Sequence, residues 1–224
     1  MLLAIVVPLA LAGDGGSRQV VAYELTTTET RASSGQNLSI DYVNPGDPEG
    51  KPPAVRRVVT VLPKGARFNT NAPKQCPASD AELMAQGAAA CPAGSKLTDG
   101  VITLDSGVPG PARITTVDVT FFNNERELIY LNTIRGSETR VVVRGTVRRR
   151  KIITESPFLP GTPPDGAAID TVVANDPPIT TKRGNYITTP RRCPTRGFWL
   201  MRVRFTYDDG VTQVSRDRAA CDAA

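Results

Sequence analysis

The sequence predicts an all-β domain, a β-sandwich of jelly-roll or immunoglobulin-like type, carrying one short helix and two local disulfides. Three observations carry that prediction. Val, Ile and Thr alternate with polar residues along most of the 224-residue chain, and 19 Gly and 19 Pro punctuate the alternation. No segment sustains a long helical period. Four cysteines, Cys76, Cys91, Cys193 and Cys221, fall into two pairs that are each local in sequence.

The chain begins with an uncharged apolar run, Met1 to Ala12 (MLLAIVVPLALA), that closes on the A-x-A pattern of Ala10, Leu11 and Ala12. A polar stretch, GDGGSRQ, follows. This reads as the hydrophobic region and cleavage site of a secretory signal peptide. A run this short falls below the roughly twenty apolar residues that cross a bilayer. The reading is a signal peptide over residues 1–12 and a single β-sandwich domain over 13–224, placed outside the cytoplasm. No later segment is apolar and long enough to span a membrane.

Strands are predicted, in order, at Gln19 to Thr27, Gln36 to Val43, Val55 to Leu62, Val101 to Asp105, Arg113 to Asn123, Glu127 to Ile134 and Thr139 to Ile153. Three more follow at Ile169 to Ala174, Phe198 to Tyr207 and Val211 to Ser215. In Phe198 to Tyr207 one face carries Trp199, Met201, Val203, Phe205 and Tyr207, and the other Arg202, Arg204 and Thr206. The first face belongs in a core. Asp208, Asp209 and Gly210 then turn the chain, since Asp and Gly tolerate positive φ. The helix is expected inside the first cysteine loop, where Ser79, Asp80, Ala81 and Glu82 form a capping box and Gly87 ends it. Asn44 to Ala54 and Thr154 to Pro164 are too rich in proline for inner strands and read as long loops.

Four cysteines allow three pairings, and sequence neighbourhood favours Cys76 with Cys91 and Cys193 with Cys221. Zinc is the rival reading, but the spacing is not C-x-x-C and the chain holds no histidine. Each closed loop stabilises by roughly 3 kcal/mol in the chain-entropy model. The first would enclose the helix; the second would pin the open ends of the Phe198 to Ser215 hairpin. Both are scaffold.

The missing histidine also removes Ser-His-Asp and Cys-His catalysis. There is no G-x-S-x-G, no P-loop and no G-x-G-x-x-G, so no cofactor is expected. Carboxylates are the remaining catalytic option, since glycoside hydrolysis needs two of them about 5 to 10 Å apart. Among 22 acids no motif raises one pair above the rest. Asp208 and Asp209 are explained by the turn, and Asp80 and Glu82 by the cap.

The net charge of +5 conceals an asymmetry. Between Arg135 and Lys151 seven basic residues face Glu138 alone, and between Lys182 and Arg204 seven face no acid. If the strand holding Arg140, Arg144 and Arg148 lies beside the one holding Arg202 and Arg204, the five arginines form one basic sheet face. That face is a candidate surface for anions: an envelope polymer, an acidic glycan or anionic lipid headgroups. Nucleic acid is disfavoured by the low aromatic content, because single-strand binders interleave stacking rings with their basic residues.

The stretch Val58 to Gly100 resembles a pattern in exported actinobacterial proteins of unassigned function. Its elements are Leu62-Pro63-Lys64-Gly65, Cys76-Pro77, the short helix, Ala90-Cys91-Pro92 and Ser95. Cys193-Pro194, Gly197, Trp199, Phe205, Tyr207 and Asp209-Gly210 are similar to a second part of that pattern. The resemblance implies export and the same cysteine pairing, and no activity. The expected function is accordingly a noncatalytic binding or structural module of the cell envelope or extracellular space. A carboxylate-dependent glycan hydrolase and a polyanion-binding protein using the arginine face are the alternatives.

Overall fold

The computed structural model describes residues 18–222 apart from 46, 48 and 163–165. The expected signal peptide lies outside the described residues. The elements in chain order are β1 (Arg18–Leu25), β2 (Ser33–Ser34), β3 (Gln36–Val43), β4 (Val55–Val61), β5 (Arg67–Phe68), α1 (Asp80–Gln86), β6 (Lys96–Asp105), β7 (Ile114–Asn124) and β8 (Glu127–Ile134). They continue with β9 (Arg140–Arg148), β10 (Lys151–Glu155), β11 (Ala168–Asp176), β12 (Thr180–Thr181), β13 (Gly184–Asn185), β14 (Ile187–Thr188), β15 (Phe198–Tyr207) and β16 (Thr212–Ala220). The chain is all-β with one short helix, as its alternation predicts. No helix among the described residues is long and apolar enough to cross a membrane.

Eleven strands form one antiparallel sheet in the order β1, β3, β11, β6, β7, β8, β9, β10, β4, β15, β16. This single sheet wraps round until its first and last strands meet, so the two facing layers are halves of one surface. With an odd number of antiparallel strands, the meeting edges run parallel. The junction is made by side chains. The β1 amides that point away from β3 are those of Gln19, Val21 and Tyr23, and they donate to Gln213 Oε1 (3.2 Å), Ser215 Oγ (3.2 Å) and Asp217 Oδ2 (2.7 Å) of β16. Gln213 Nε2 returns a bond to the Gln19 carbonyl at 2.9 Å. An open sheet edge invites pairing with another chain, and this polar row covers it.

That junction explains why β16 runs past the predicted end at Ser215. Ser215 and Asp217 sit opposite Val203 and Met201, on the face the core row occupies. Polar residues there read as a strand end. In the folded chain they serve the edge of β1.

The segment Thr139 to Ile153, expected as one strand, is the hairpin β9–β10, with Arg148 opposite Lys151. Parity gives the reason: Val147 and Ile152 are both buried, and only a two-residue turn between them puts odd and even positions on the same face. The predicted strand at Val101 begins five residues earlier, at Lys96. Gly100, just outside the predicted strand, lies within the observed one and is needed for close approach. A Cβ there would stand 2.7 Å from the Val173 carbonyl and 2.9 Å from the Phe121 ring.

The outer face of β7, β8 and β9 is covered by the helix loop. Phe122, Ile129 and Leu131 pack there with Cys76, Cys91 and Leu83 of α1. Ser79 and Glu82 make the predicted capping box, and the helix ends at Gly87 with φ 63°. Cys76 bonds to Cys91, and Cys193 to Cys221, closing the hairpin β15–β16 at its open end. Oxidised pairing of this kind is characteristic of compartments outside the cytoplasm.

The two ends of the barrel differ. At one end β2, β5 and β14 form a small plug sheet that buries Phe68, Tyr186 and Ile187. At the other the long loops gather, with Lys51 Nζ donating to the Gly166 carbonyl at 2.5 Å and the Thr162 amide to the Ser106 carbonyl at 2.8 Å.

Candidate functional site

Inside the wrapped sheet the packing is uneven. Along β15 the inward residues Met201, Val203 and Phe205 are essentially inaccessible and fill their side of the barrel. Across from them, inward residues of β3, β6, β9 and β11 such as Leu38, Ile102, Leu104, Val143 and Val172 remain half-buried. They surround a cavity of about 210 Å³. Apolar cavities of roughly 150 Å³ already hold benzene-sized ligands. The cavity runs from the plug end, marked by Leu97, Phe121 and Tyr186, to Pro157 and Leu159 in the proline loop.

Its wall is apolar apart from a few groups, and one of them is charged. Asp176 is the last residue of β11, turned inward on the same face as Val172 and Ala174, and 9% exposed. It faces Gln36 across the β3–β11 pair, and Gln36 Nε2 donates to its Oδ2 at 2.5 Å. Tyr23 Oη donates in turn to Gln36 Oε1 at 3.2 Å. No lysine or arginine among the described residues pairs with Asp176. Burial pushes its carboxyl up to about 6, against the opposing pull of the Gln36 bond. Its charge reaches the surrounding tyrosines. Tyr130, which shares a hydrogen bond with Thr154 at 2.9 Å, is pushed up to about 12 chiefly by burial, with a smaller contribution from Asp176. Tyr186 and Tyr23 are raised further for the same two reasons.

Sequence reasoning passes over Asp176 because Asn175-Asp176-Pro177-Pro178 reads as a strand end. The signal that finds it is parity: Val172, Ala174 and Asp176 share a face.

The predicted arginine face divides in two. Arg144 does not face solvent freely: its guanidinium donates to Asp80 Oδ1 (2.7 Å), Glu127 Oε2 (3.0 Å) and the Ala78 carbonyl (2.8 Å), holding the start of α1 against the sheet. Arg140 pairs with Glu138 and donates to the Met84 carbonyl at 3.1 Å, holding the helix end. These two are clamps for α1. Arg148, Arg202 and Arg204 are exposed on the outer face. The expected adjacency does not occur, because β10 and β4 stand between β9 and β15. The intervening strands nonetheless align a row in register: Arg148, Lys151, Val61, Arg202 and Arg216 lie opposite one another across five strands. Among the described residues none of its four cations, nor Arg204, forms an ion pair. Lys151 and Arg216 are the members the sequence reading missed, since register across strands cannot be read from one strand's alternation.

A shallow outer depression holds Asp99 and Asp118. Asp99 pairs with Lys96 at 2.6 Å and Asp118 with Arg135 at 2.5 Å. The Arg135 bond holds Asp118 below the usual carboxylate range. No group of three or more acids, cysteines or histidines suited to a metal occurs among the described residues. Comparison with protein-family models, curated proteins and solved structures finds no match to this chain.

Proposed function

We propose that this protein is an exported, noncatalytic binding module that holds a small apolar ligand inside its wrapped sheet. The observation that carries the reading is the mostly apolar cavity, with inward side chains on several strands left half-buried beside the fully packed residues of β15. Binding pockets are concave, mostly apolar and furnished with a few polar groups, and this cavity has that composition. Two disulfides and the apolar leader support export. The carboxylate-hydrolase alternative is less well supported. Its general acid requires a raised carboxyl beside a second carboxylate in a sugar cleft, whereas Asp176 is the one carboxylate among the described residues lining the cavity and Asp118 on the surface is lowered.

The neutral dye phenylnaphthylamine should bind the protein saturably with one-to-one stoichiometry and brighten. Ile102 and Val172 lie opposite each other at mid-barrel. Ile102→Trp with Val172→Phe should therefore fill the cavity and weaken dye binding at least tenfold without lowering the melting temperature. A dye that the filled variant binds as well as the wild type would reject the reading.

The in-register cations on the outer face favour a second surface, for an anionic envelope polymer. Like charges placed opposite in a sheet are destabilising, so the Arg202–Arg216 pair carries a cost that a polyanion would relieve. Retention on immobilised heparin should depend steeply on salt, and Arg202→Glu with Arg216→Glu should reduce the log–log salt slope by about two. Unchanged elution of that variant would remove this surface from consideration.

A further inference from the structure

The one charged group among the described residues that line the cavity lacks its complement. Of the Asp176 carboxylate oxygens, one accepts from Gln36 and the other has no hydrogen-bond partner among the described residues. Among the described residues of the cavity wall, Asp176 is the only one of the Asp, Glu, Lys and Arg types. An ionised carboxylate buried without a cation is costly, and native proteins rarely keep one without a compensating group. Phe121, Tyr130 and Tyr186 line the cavity with it, and Phe121 and Tyr130 meet edge to face at 5.2 Å. Aromatic walls beside a carboxylate suit an ammonium, which gains from both the charge and the ring faces. Beyond these groups the wall is mostly aliphatic as far as Leu159, interrupted by the polar side chains of Thr60, Asn132, Thr154 and Ser156.

We infer that the cavity takes an amphiphile head first, seating a protonated amine on Asp176 and laying a short apolar tail along Ile102, Val172 and Leu104 toward the loop end. This rests on the reading of the cavity as an apolar-ligand site. A carboxylate or phosphate head would be repelled at Asp176, and an alcohol would satisfy one oxygen while leaving the charge unpaired. A hard metal ion would need about six oxygen ligands, which this wall does not supply.

The test is competition of octylamine, octanol and octanoate against phenylnaphthylamine at pH 8, with binding checked by calorimetry. Octylamine should bind tightest and octanoate at least tenfold more weakly. Asp176→Asn should reduce the preference for octylamine over octanol at least tenfold. The wild-type ranking needs no variant, so the proposal stands or falls even if the substitution impairs folding. If the dye binds but octanoate equals or exceeds octylamine, or the variant keeps the preference, the head-group assignment is wrong while the cavity reading survives. Should neither the dye nor any of the three ligands bind, the cavity reading fails and this inference falls with it.

Discussion

Asp176→Asn is expected to stabilise the unliganded protein above pH 6 and to leave its stability nearly unchanged at pH 4. The sign follows from linkage. Burial raises the Asp176 carboxyl from 3.8 in the unfolded chain to about 6 in the folded one. Below pH 4 it is protonated in both states and contributes no difference. As pH rises from 4 through 6, the unfolded chain releases its proton first, and folding is progressively disfavoured. Above pH 6 the folded protein carries the full burial cost, on the order of 2–3 kcal/mol at 1.36 kcal/mol per unit. Asparagine avoids the charge and still accepts the bond from Gln36 Nε2. The groups facing position 176 are Gln36, Tyr23, Tyr130 and Tyr186, and none of them titrates between pH 4 and 8. Thermal unfolding at pH 4, 6 and 8 should show the difference between variant and wild type opening to roughly 5–10 °C at pH 8. Taking that difference cancels groups of opposite sign, such as Glu82, which its Ser79 bonds hold below the usual range. A pH-independent gap would mean that the carboxylate is already compensated.

Replacing both Cys193 and Cys221 by alanine should cost about 3–4 kcal/mol. The bridge closes a separation of 28 residues, and in the chain-entropy model a loop of that length contributes in this range. Changing both residues avoids leaving a reactive thiol. The consequence should not stay local. Cys221 follows directly on β16, whose Gln213, Ser215 and Asp217 hold the β1 edge, and its amide donates to the Gly197 carbonyl at 3.0 Å. Loosening that end should free the junction, so amide exchange at Gln19, Val21 and Tyr23 should accelerate along with the fall in the urea midpoint. A variant within about 1 kcal/mol of wild type, with those amides still protected, would show that side-chain bonds alone hold the first and last strands together.

The local elements were legible because each had a local cause. Alternation placed the strands, Ser79 and Glu82 placed the helix start, and Asp208 to Gly210 placed the last turn. Failures came where a residue served a distant partner. Gly100, left outside the predicted strand, makes room for the Phe121 ring and the Val173 carbonyl. Ser215 and Asp217 serve amides 194 residues away in sequence. Arg144, expected on an open basic face, neutralises Asp80 and Glu127 and fixes a helix.

The candidate site shows the same division. That Asp176 points inward follows from parity with Val172 and Ala174, yet parity does not tell whether inside means packed or hollow. Val203 and Val172 are both inward-facing valines on alternating strands, and the sequence treats them alike. One is fully packed and the other lines the cavity.

The sequence by itself determined the strands, the helix, the two staples and the imbalance of charge, because these arise from neighbours within a few residues and from composition. Only the tertiary structure decided that one continuous sheet closes on itself, that its interior stays open on one side, that a lone carboxylate faces that space, and that cations from four strands fall into one row. Those outcomes depend on strand order and register, set by contacts between residues far apart in the chain.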